Sequence, residues 1–314
     1  MSISMQNDAP QSSMLFSIII GIVNTQDSER ILEVLTALEQ QEGGYPFEVI
    51  LANRTQNTII TMINSTLQNV RVLQFANNTS LPALRTYALD HAIGKYVIVI
   101  EDHTIPALNW LKEIYHAFQI SPINTVAVGG CVENAMTDST LDWATFFCEY
   151  SNFLTPVEEG INVAIPGMNI AYKRKALNTI NREKLLNGFW ESTVHQHLSE
   201  QGLNFFTSNQ IVIYHKKKFT FSFFLKQRYI YSKYFAAQRV KNRSKVVRLI
   251  FGCFTLLLPF LLIYRVFSNI LRKKRLTTKL IKATPYLLMF YSSWALGEMS
   301  GYFFNASNAL EKIE

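Results

Sequence analysis

Strand-length runs of Val, Ile and Leu, each followed by an amphipathic segment of helix length, recur through the first third of the chain. Ser17–Asn24 reads as a first strand, and Ser28–Gln41 follows with Ile31, Leu32, Val34, Leu35 and Leu38 at helical spacing. Phe47–Asn53 and Arg71–Phe75 read as the second and third strands, and Leu84–Ile93 as a helix. Tyr96–Glu101 is a fourth strand and Ala107–Gln119 another helix. Such runs are apolar at successive positions rather than alternate ones, so both faces of each strand must be covered. Helices between them supply that cover, which predicts an α/β fold with a mostly parallel sheet and helices on both faces. Ligands of such sheets bind at the carboxyl ends of the strands. Beyond Thr125 the pattern loosens. Thr125–Val132 and Asn204–His215 read as strands, and Leu141–Tyr150 and Glu191–Gln201 as helices.

Charge divides the chain sharply. Residues 1–215 carry 20 acidic and 11 basic side chains, whereas 216–297 carry 18 basic and no acidic ones. The overall formal charge of +7 describes neither part. In the basic part Lys and Arg alternate with Leu, Phe and Tyr. That suits the headgroup layer of an anionic membrane better than nucleic acid. Residues 216–248 are therefore expected to form interfacial helices. The uncharged run Leu249–Tyr264 has 16 residues with Pro259 inside, short of the roughly 20 a span needs. It is expected to be re-entrant. The second run, Ala283 to Leu310, is broken only by Glu298 and is expected to cross. Residues 249–310 are thus read as membrane segments. A carboxylate within such a run needs a partner or a role. Residues 1–13 are polar and lack a basic n-region, so they read as a disordered tail rather than a secretory signal. The domain spanning 14–215 is accordingly expected on the cytoplasmic side of the cell membrane. Three scattered cysteines do not suggest a disulfide framework.

The segment richest in chemistry is Glu101-Asp102-His103, at the end of the fourth strand and ahead of Pro106. Two carboxylates and an imidazole at a strand's carboxyl end can hold a divalent cation against a diphosphate. Read alone, the tripeptide fits a solvated turn equally well.

Its surroundings add a pattern. Phe16–Asn24 resembles the opening strand of the family-2 glycosyltransferases of the GT-A fold. Phe47–Asn53 sits where that family's second strand ends in Asp. Leu84-Arg85-Thr86-Tyr87-Ala88, then Gly94-Lys95-Tyr96, is similar to its Ala-Arg-Asn helix and Gly-x-Tyr strand entry. Glu101-Asp102-His103 falls on its Asp-x-Asp motif, with Trp110-Leu111 following. Gly129-Gly130, Gly167-Met168-Asn169 through Arg174, and Gly188-Phe189-Trp190-Glu191 continue the series in order. The resemblance covers about residues 15–240. It implies inverting transfer of a sugar from a nucleotide-diphosphate donor to a glycan or lipid-linked acceptor, assisted by Mn2+ or Mg2+.

Carried over residue by residue, Asn24 and Asn53 would line the base and ribose pocket, with Arg85, Glu101 and Asp102 at the nucleotide sugar. Asp102, His103 and His215 would serve the metal, and Glu191 would be the general base. Asn169, Trp190, Gln227 and Arg228 would lie on the acceptor side. His195, one helical turn after Glu191, is positioned to pair with it. His215 is read equally as a structural histidine. Lys173 and Arg174 could steer a phosphate-bearing acceptor or simply be solvated. Three residues depart from the family pattern: Asn53 replaces Asp, His103 replaces the last Asp of the motif, and Ser192 stands where many members have Asp. They leave open a second reading, a non-catalytic membrane-bound nucleotide-sugar binding or scaffolding protein.

Overall fold

The computed structural model describes residues 14–23, 28–55, 63, 69–161 and 164–304. The tail 1–13, Asn24 and residues 305–314 lie outside the described residues, as do the side chains of Glu191 and Ser192. In chain order the elements are β1 (Phe16–Ile22), α1 (Ser28–Glu39), β2 (Phe47–Asn53), β3 (Val70–Gln74) and α2 (Leu81–His91). There follow β4 (Tyr96–Glu101), β5 (Thr104–Pro106), α3 (Trp110–Ile120), β6 (Thr125–Asn134), α4 (Thr140–Tyr150), β7 (Gly160–Ile161) and β8 (Ile170–Lys173). Apart from single turns at Arg174–Leu177 and Thr255–Leu257, the rest is α5 (Arg182–Gly188), α6 (Glu191–Glu200), β9 (Asn204–His215), α7 (Phe221–Arg239), α8 (Lys245–Phe254), α9 (Leu258–Arg272) and α10 (Thr277–Phe303).

The chain forms two compact units, with β6 running from one into the other. The first comprises residues up to 102, 108–129 and 167–206. Its strands lie in the order β3-β2-β1-β4-β8-β6. The first four are parallel, and β8 is antiparallel to both β4 and β6. Ile18, Ile19 and Ile20 of β1, and Val49, Ile50 and Leu51 of β2, are all fully buried. Consecutive burial confirms a sheet covered on both faces.

One polar cluster ties down the amino end of this sheet. Ser17 donates to Glu48 Oε1 at 2.6 Å and accepts from the Gly94 amide at 2.8 Å, while the Ile93 amide also donates to Glu48 at 2.9 Å. Gly94 is required there, because a Cβ would stand 2.6 Å from the backbone of Phe16 and Ser17. Anchoring one end of the strands leaves their other ends free to present side chains.

The second unit comprises residues 103–107, 130–166 and 207 onward. In it β9 pairs antiparallel with the short edge strand β5, joining Thr104 to His215 and Pro106 to Ile213. Helices α7 and α10 pack along each other, with Phe290 against Phe221 and Phe224. Gly297 and Gly301 let the two backbones approach, since a Cβ on either would fall 2.3 Å from a backbone oxygen of α7. Glu298 finds three partners: Arg239 at 3.1 Å, Trp294 Nε1 at 3.0 Å and the Tyr302 hydroxyl at 2.8 Å.

Among the described residues, one helical stretch is long and apolar enough to cross a membrane, Lys245–Arg272, which joins α8 and α9 through a 3-10 turn. The length criterion thus falls on the first apolar run. The second run forms α10, which buries Leu280, Leu287, Phe290, Ala295 and Glu298 against protein.

Candidate active site

β4 ends at Glu101, and β5 begins at Thr104 after a two-residue turn. Residue 103 is fixed by main-chain pairing, because the Lys216 amide donates to the His103 carbonyl at 2.8 Å. That bond extends the β5–β9 ladder and sets the His103 ring beside His215. The two rings stand edge to face, 5.0 Å apart between centroids, and both residues are buried. Tyr150, from the last turn of α4, lies 4.9 Å from the His215 ring, and the Phe219 ring is stacked with it at 6.5 Å.

A ligand oxygen of Glu101 and one ring nitrogen from each histidine all lie within 4.8 Å of one another. Two atoms held by one ion at about 2.1 Å each are separated by at most about 4 Å, so small side-chain rotations suffice to close the set. One carboxylate and two imidazoles suit Mn2+ and related first-row ions. The donor set therefore fits a divalent cation. Of the residues assigned to a metal from sequence, His103 and His215 belong to this group, and Glu101 joins them. Asp102 is half-buried beside it and is not one of the three.

Within the first unit the nucleotide-side candidates have distinct environments. Asn53, at the carboxyl end of β2, is buried with every polar atom engaged. Its Oδ1 accepts from the amide and hydroxyl of Thr55, and its Nδ2 donates to Thr55 O and Gln74 Oε1. This Asx-type turn shapes the strand end. Arg54 then bridges the ends of β1 and α2, donating to Val23 O and Thr79 O at 3.1 Å each.

Arg85, on the buried face of α2, donates to Phe189 O at 3.2 Å and lies 5.3 Å from the Trp190 ring centroid. Phe189 and Trp190 immediately precede Glu191, the first residue of α6. Trp190 is the N-cap and makes no side-chain cap hydrogen bond. Arg85 therefore fixes the entry to this helix from outside it. Among the described residues neither Arg85 Nε nor Trp190 Nε1, both buried, has a hydrogen-bond partner, and buried orphan donors of this kind are rare unless something else satisfies them.

Further along α6, His195 Nε2 lies 3.0 Å from the Tyr172 hydroxyl, and its ring packs 4.6 Å from Phe205. Burial pushes its pKa down to about 4, so the ring is neutral at physiological pH. The pairing of His195 with Glu191 expected from sequence involves a side chain outside the described residues. Asn169, beside the carboxyl end of β4, is fully buried and accepts from Trp110 Nε1 at 2.8 Å. Lys173 pairs in register with Tyr96, at the opposite end of β4 from Glu101, and Arg174 donates to Gly94 O at 2.7 Å. This pair serves the anchored end of the sheet.

In the second unit Arg228 is buried on α7. It pairs with Glu149 of α4, donates to Gln227 Oε1 at 3.0 Å, and is ringed by Phe224, Tyr231 and Trp294. Its guanidinium pins α7 to α4, and Gln227 serves the same knot. Tyr150, next along α4 from Glu149, is how that pin reaches His215. Nothing in the sequence pattern marks Tyr150 or Glu149, because their role arises only from the packing of α4.

The sequence matches the family model Glycosyl transferase family 2 over residues 17–180. No curated protein matches the chain. Among solved structures it is similar to the mannosyltransferase PcManGT from Pyrobaculum calidifontis, determined in complex with GDP-Man and Mn2+. The TM-score is 0.51 with 15% sequence identity, covering 89% of this chain and 73% of that one. At that identity the likeness is one of fold, and it agrees with the GT-A arrangement of strands. The family match takes in 164 of the 314 residues, and the chain belongs to glycosyl transferase family 2 and is a glycosyltransferase.

Proposed function

We propose that the protein transfers a sugar with inversion from a nucleotide-diphosphate donor to a glycan or lipid-linked acceptor at the cytoplasmic face of the cell membrane. The observation that carries this reading is the convergence of Glu101, His103 and His215 at a strand's carboxyl end. A divalent cation held by these three residues, Mn2+ or Mg2+, would neutralise charge on the diphosphate leaving group. The ion in the PcManGT complex supports that assignment by analogy of fold.

The chain's own residues do the rest. The end of β2, shaped by Asn53 and braced by Arg54, forms one wall for the nucleotide, and Asn24 is assigned to the same base and ribose pocket. Asp102 contacts the nucleotide sugar beside the cation site. Arg85 offers an N–H to donor oxygens, and Trp190 one on the acceptor side. Glu191 removes the proton from the acceptor hydroxyl. As that oxygen bonds to the anomeric carbon, the bond from this carbon to the diphosphate oxygen breaks on the opposite side, which inverts the centre. Asn169 and Trp190 of the first unit, and Gln227 and Arg228 of the second, are the residues assigned to the acceptor.

A thermal-stability screen of UDP-, GDP- and TDP-sugars with Mn2+, followed by product analysis, tests the reading, because a ligand bound by the folded state raises Tm. Stabilisation by one donor class, with a product of opposite anomeric configuration, is the expected result. Retained configuration would overturn the proposed chemistry.

A further inference from the structure

We infer that Lys245–Arg272, the apolar stretch long enough to cross a bilayer, instead lies in the plane of an anionic leaflet and holds the enzyme there as a monotopic protein. The inference rests on the membrane reading above and specifies its geometry.

Four observations within the second unit carry it. First, the stretch is not one regular helix. A 3-10 turn at Thr255–Leu257 separates α8 from α9, and the uncharged part between Arg248 and Arg265 has only 16 residues. At 1.5 Å per residue that is about 24 Å, less than the roughly 30 Å hydrocarbon core.

Second, only a narrow seam of the stretch is buried: Gly252, Thr255, Val266 and Ile270. Gly252 meets the ring of Phe303 on α10. The remaining surface exposes Leu249, Phe254, Leu257, Phe260, Leu261 and Tyr264. An apolar surface of this extent on a soluble face requires a partner.

Third, both flanks are cationic and both are folded back onto protein. At the start, Arg248 donates to Val240 O and Lys241 O at the end of α7. At the end, Arg275 forms a two-pronged pair with Glu133 of β6 at 2.9 and 3.1 Å, and Lys273 donates to the Asn152 carbonyl at 3.3 Å and to those of Leu154 and Pro156.

Fourth, the stretch is packed on α10, and α10 on α7. A crossing would carry this neighbour into the hydrocarbon with it, together with the exposed Lys226 and Arg239 of α7. Charged groups at that depth are strongly unfavourable. Lying flat, the stretch sinks its exposed apolar side chains about 5–10 Å below the headgroups. The exposed Lys241, Arg243 and Lys245 at one flank, and Arg272 and Lys274 at the other, then meet lipid phosphates in one leaflet. The absence of any acidic residue between 216 and 297 matches that surface in charge.

The experiment uses the full chain carrying Cys253→Ala, with Arg243→Cys or Lys274→Cys, added to preformed sealed vesicles of phosphatidylcholine with or without phosphatidylglycerol. Both labelling positions are exposed side chains, one on each side of the apolar stretch. A membrane-impermeant maleimide then reports sidedness, and spin labels at Leu249, Leu257 and Leu261 report depth. The inference predicts co-sedimentation at least tenfold stronger with the anionic vesicles, external labelling of both cysteines, and uniformly shallow depths. Protection of one cysteine, or a Leu257 label at the bilayer centre, shows a crossing and overturns the in-plane geometry while leaving membrane attachment intact. Equal binding to neutral vesicles overturns the anionic-leaflet assignment. No binding to either vesicle overturns the membrane reading itself.

Discussion

The imidazoles of His103 and His215 stand edge to face with ring centroids 5.0 Å apart, although 112 positions separate them in the chain. The pairing of β5 with β9 holds them there, with Thr104 opposite His215 and the His103 carbonyl accepting from Lys216. Main-chain hydrogen bonds set the two backbone positions without help from a ligand. Only small side-chain rotations then remain to close the donor set on a cation, which limits the binding energy spent arranging its ligands.

His215→Ala should therefore abolish metal-dependent transfer while leaving the fold in place. The expected loss in kcat/KM is at least about 10²-fold, with an apparent Kd for Mn2+ weakened by a similar factor. Circular dichroism and metal titration of the purified variant check both parts. His103→Ala should behave alike, and Glu101→Gln should lose metal affinity less than either.

Arg85 presents a different test. Its guanidinium reaches the carbonyl of Phe189 and the face of Trp190, directly ahead of Glu191. Arg85→Lys keeps the charge and loses the planar group that stacks on the indole. The expected effect is a fall in kcat of about 10²-fold, because small displacements of a reacting group cost that much. Steady-state kinetics should show the loss mainly in kcat if Arg85 sets the helix entry, and mainly in KM if it only binds donor.

His195 makes a prediction about pH. Burial lowers its pKa to about 4 against the ordinary 6.5, so the unfolded chain binds a proton more readily than the folded one. The stabilising contribution is complete above about pH 6.5 and is lost as pH falls toward 4, by about 3 kcal/mol at most. Urea unfolding between pH 7.5 and 4 should show this decline in the wild type. His195→Phe removes the titrating group, so the portion of the slope that His195 supplies should vanish, whatever the variant's stability at pH 7.5.

The buried Arg228–Glu149 pair should be costly to break. Glu149→Ala leaves an uncompensated guanidinium among Phe224, Tyr231 and Trp294. A loss of about 3–5 kcal/mol is expected, measured as a fall in unfolding free energy. Because Tyr150 adjoins Glu149 and touches His215, Mn2+ affinity should weaken alongside stability.

Much of the first unit is legible in the sequence because burial on both faces leaves an unmistakable run of Ile and Val. Phe47–Asn53 and Tyr96–Glu101 are found at the bounds the pattern sets. The strands it misses have reasons of their own. β5 has three residues and contains Pro106, which an edge strand tolerates and a sequence pattern reads as a break. β8 has four residues, too few for a period of two to accumulate. The Glu101–His103 segment is visible as a motif, but the closeness of His215 depends on the β5–β9 pairing and so on the very strand that composition hides. The Arg239 partner of Glu298 is likewise unreadable, since it comes from a helix packed alongside rather than from the same one. Trp294 and Tyr302 lie one helical turn away on either side.

If Glu101, His103 and His215 hold a divalent cation, nucleoside-diphosphate binding depends on it. Isothermal titration of GDP and UDP into the full-length protein, with Mn2+ and with chelator, measures that dependence. At least one diphosphate should bind in Mn2+, and this binding should be lost with chelator and in the His103→Ala, His215→Ala double variant. Equal binding with chelator, or an affinity unchanged in the double variant, would rule the cation site out.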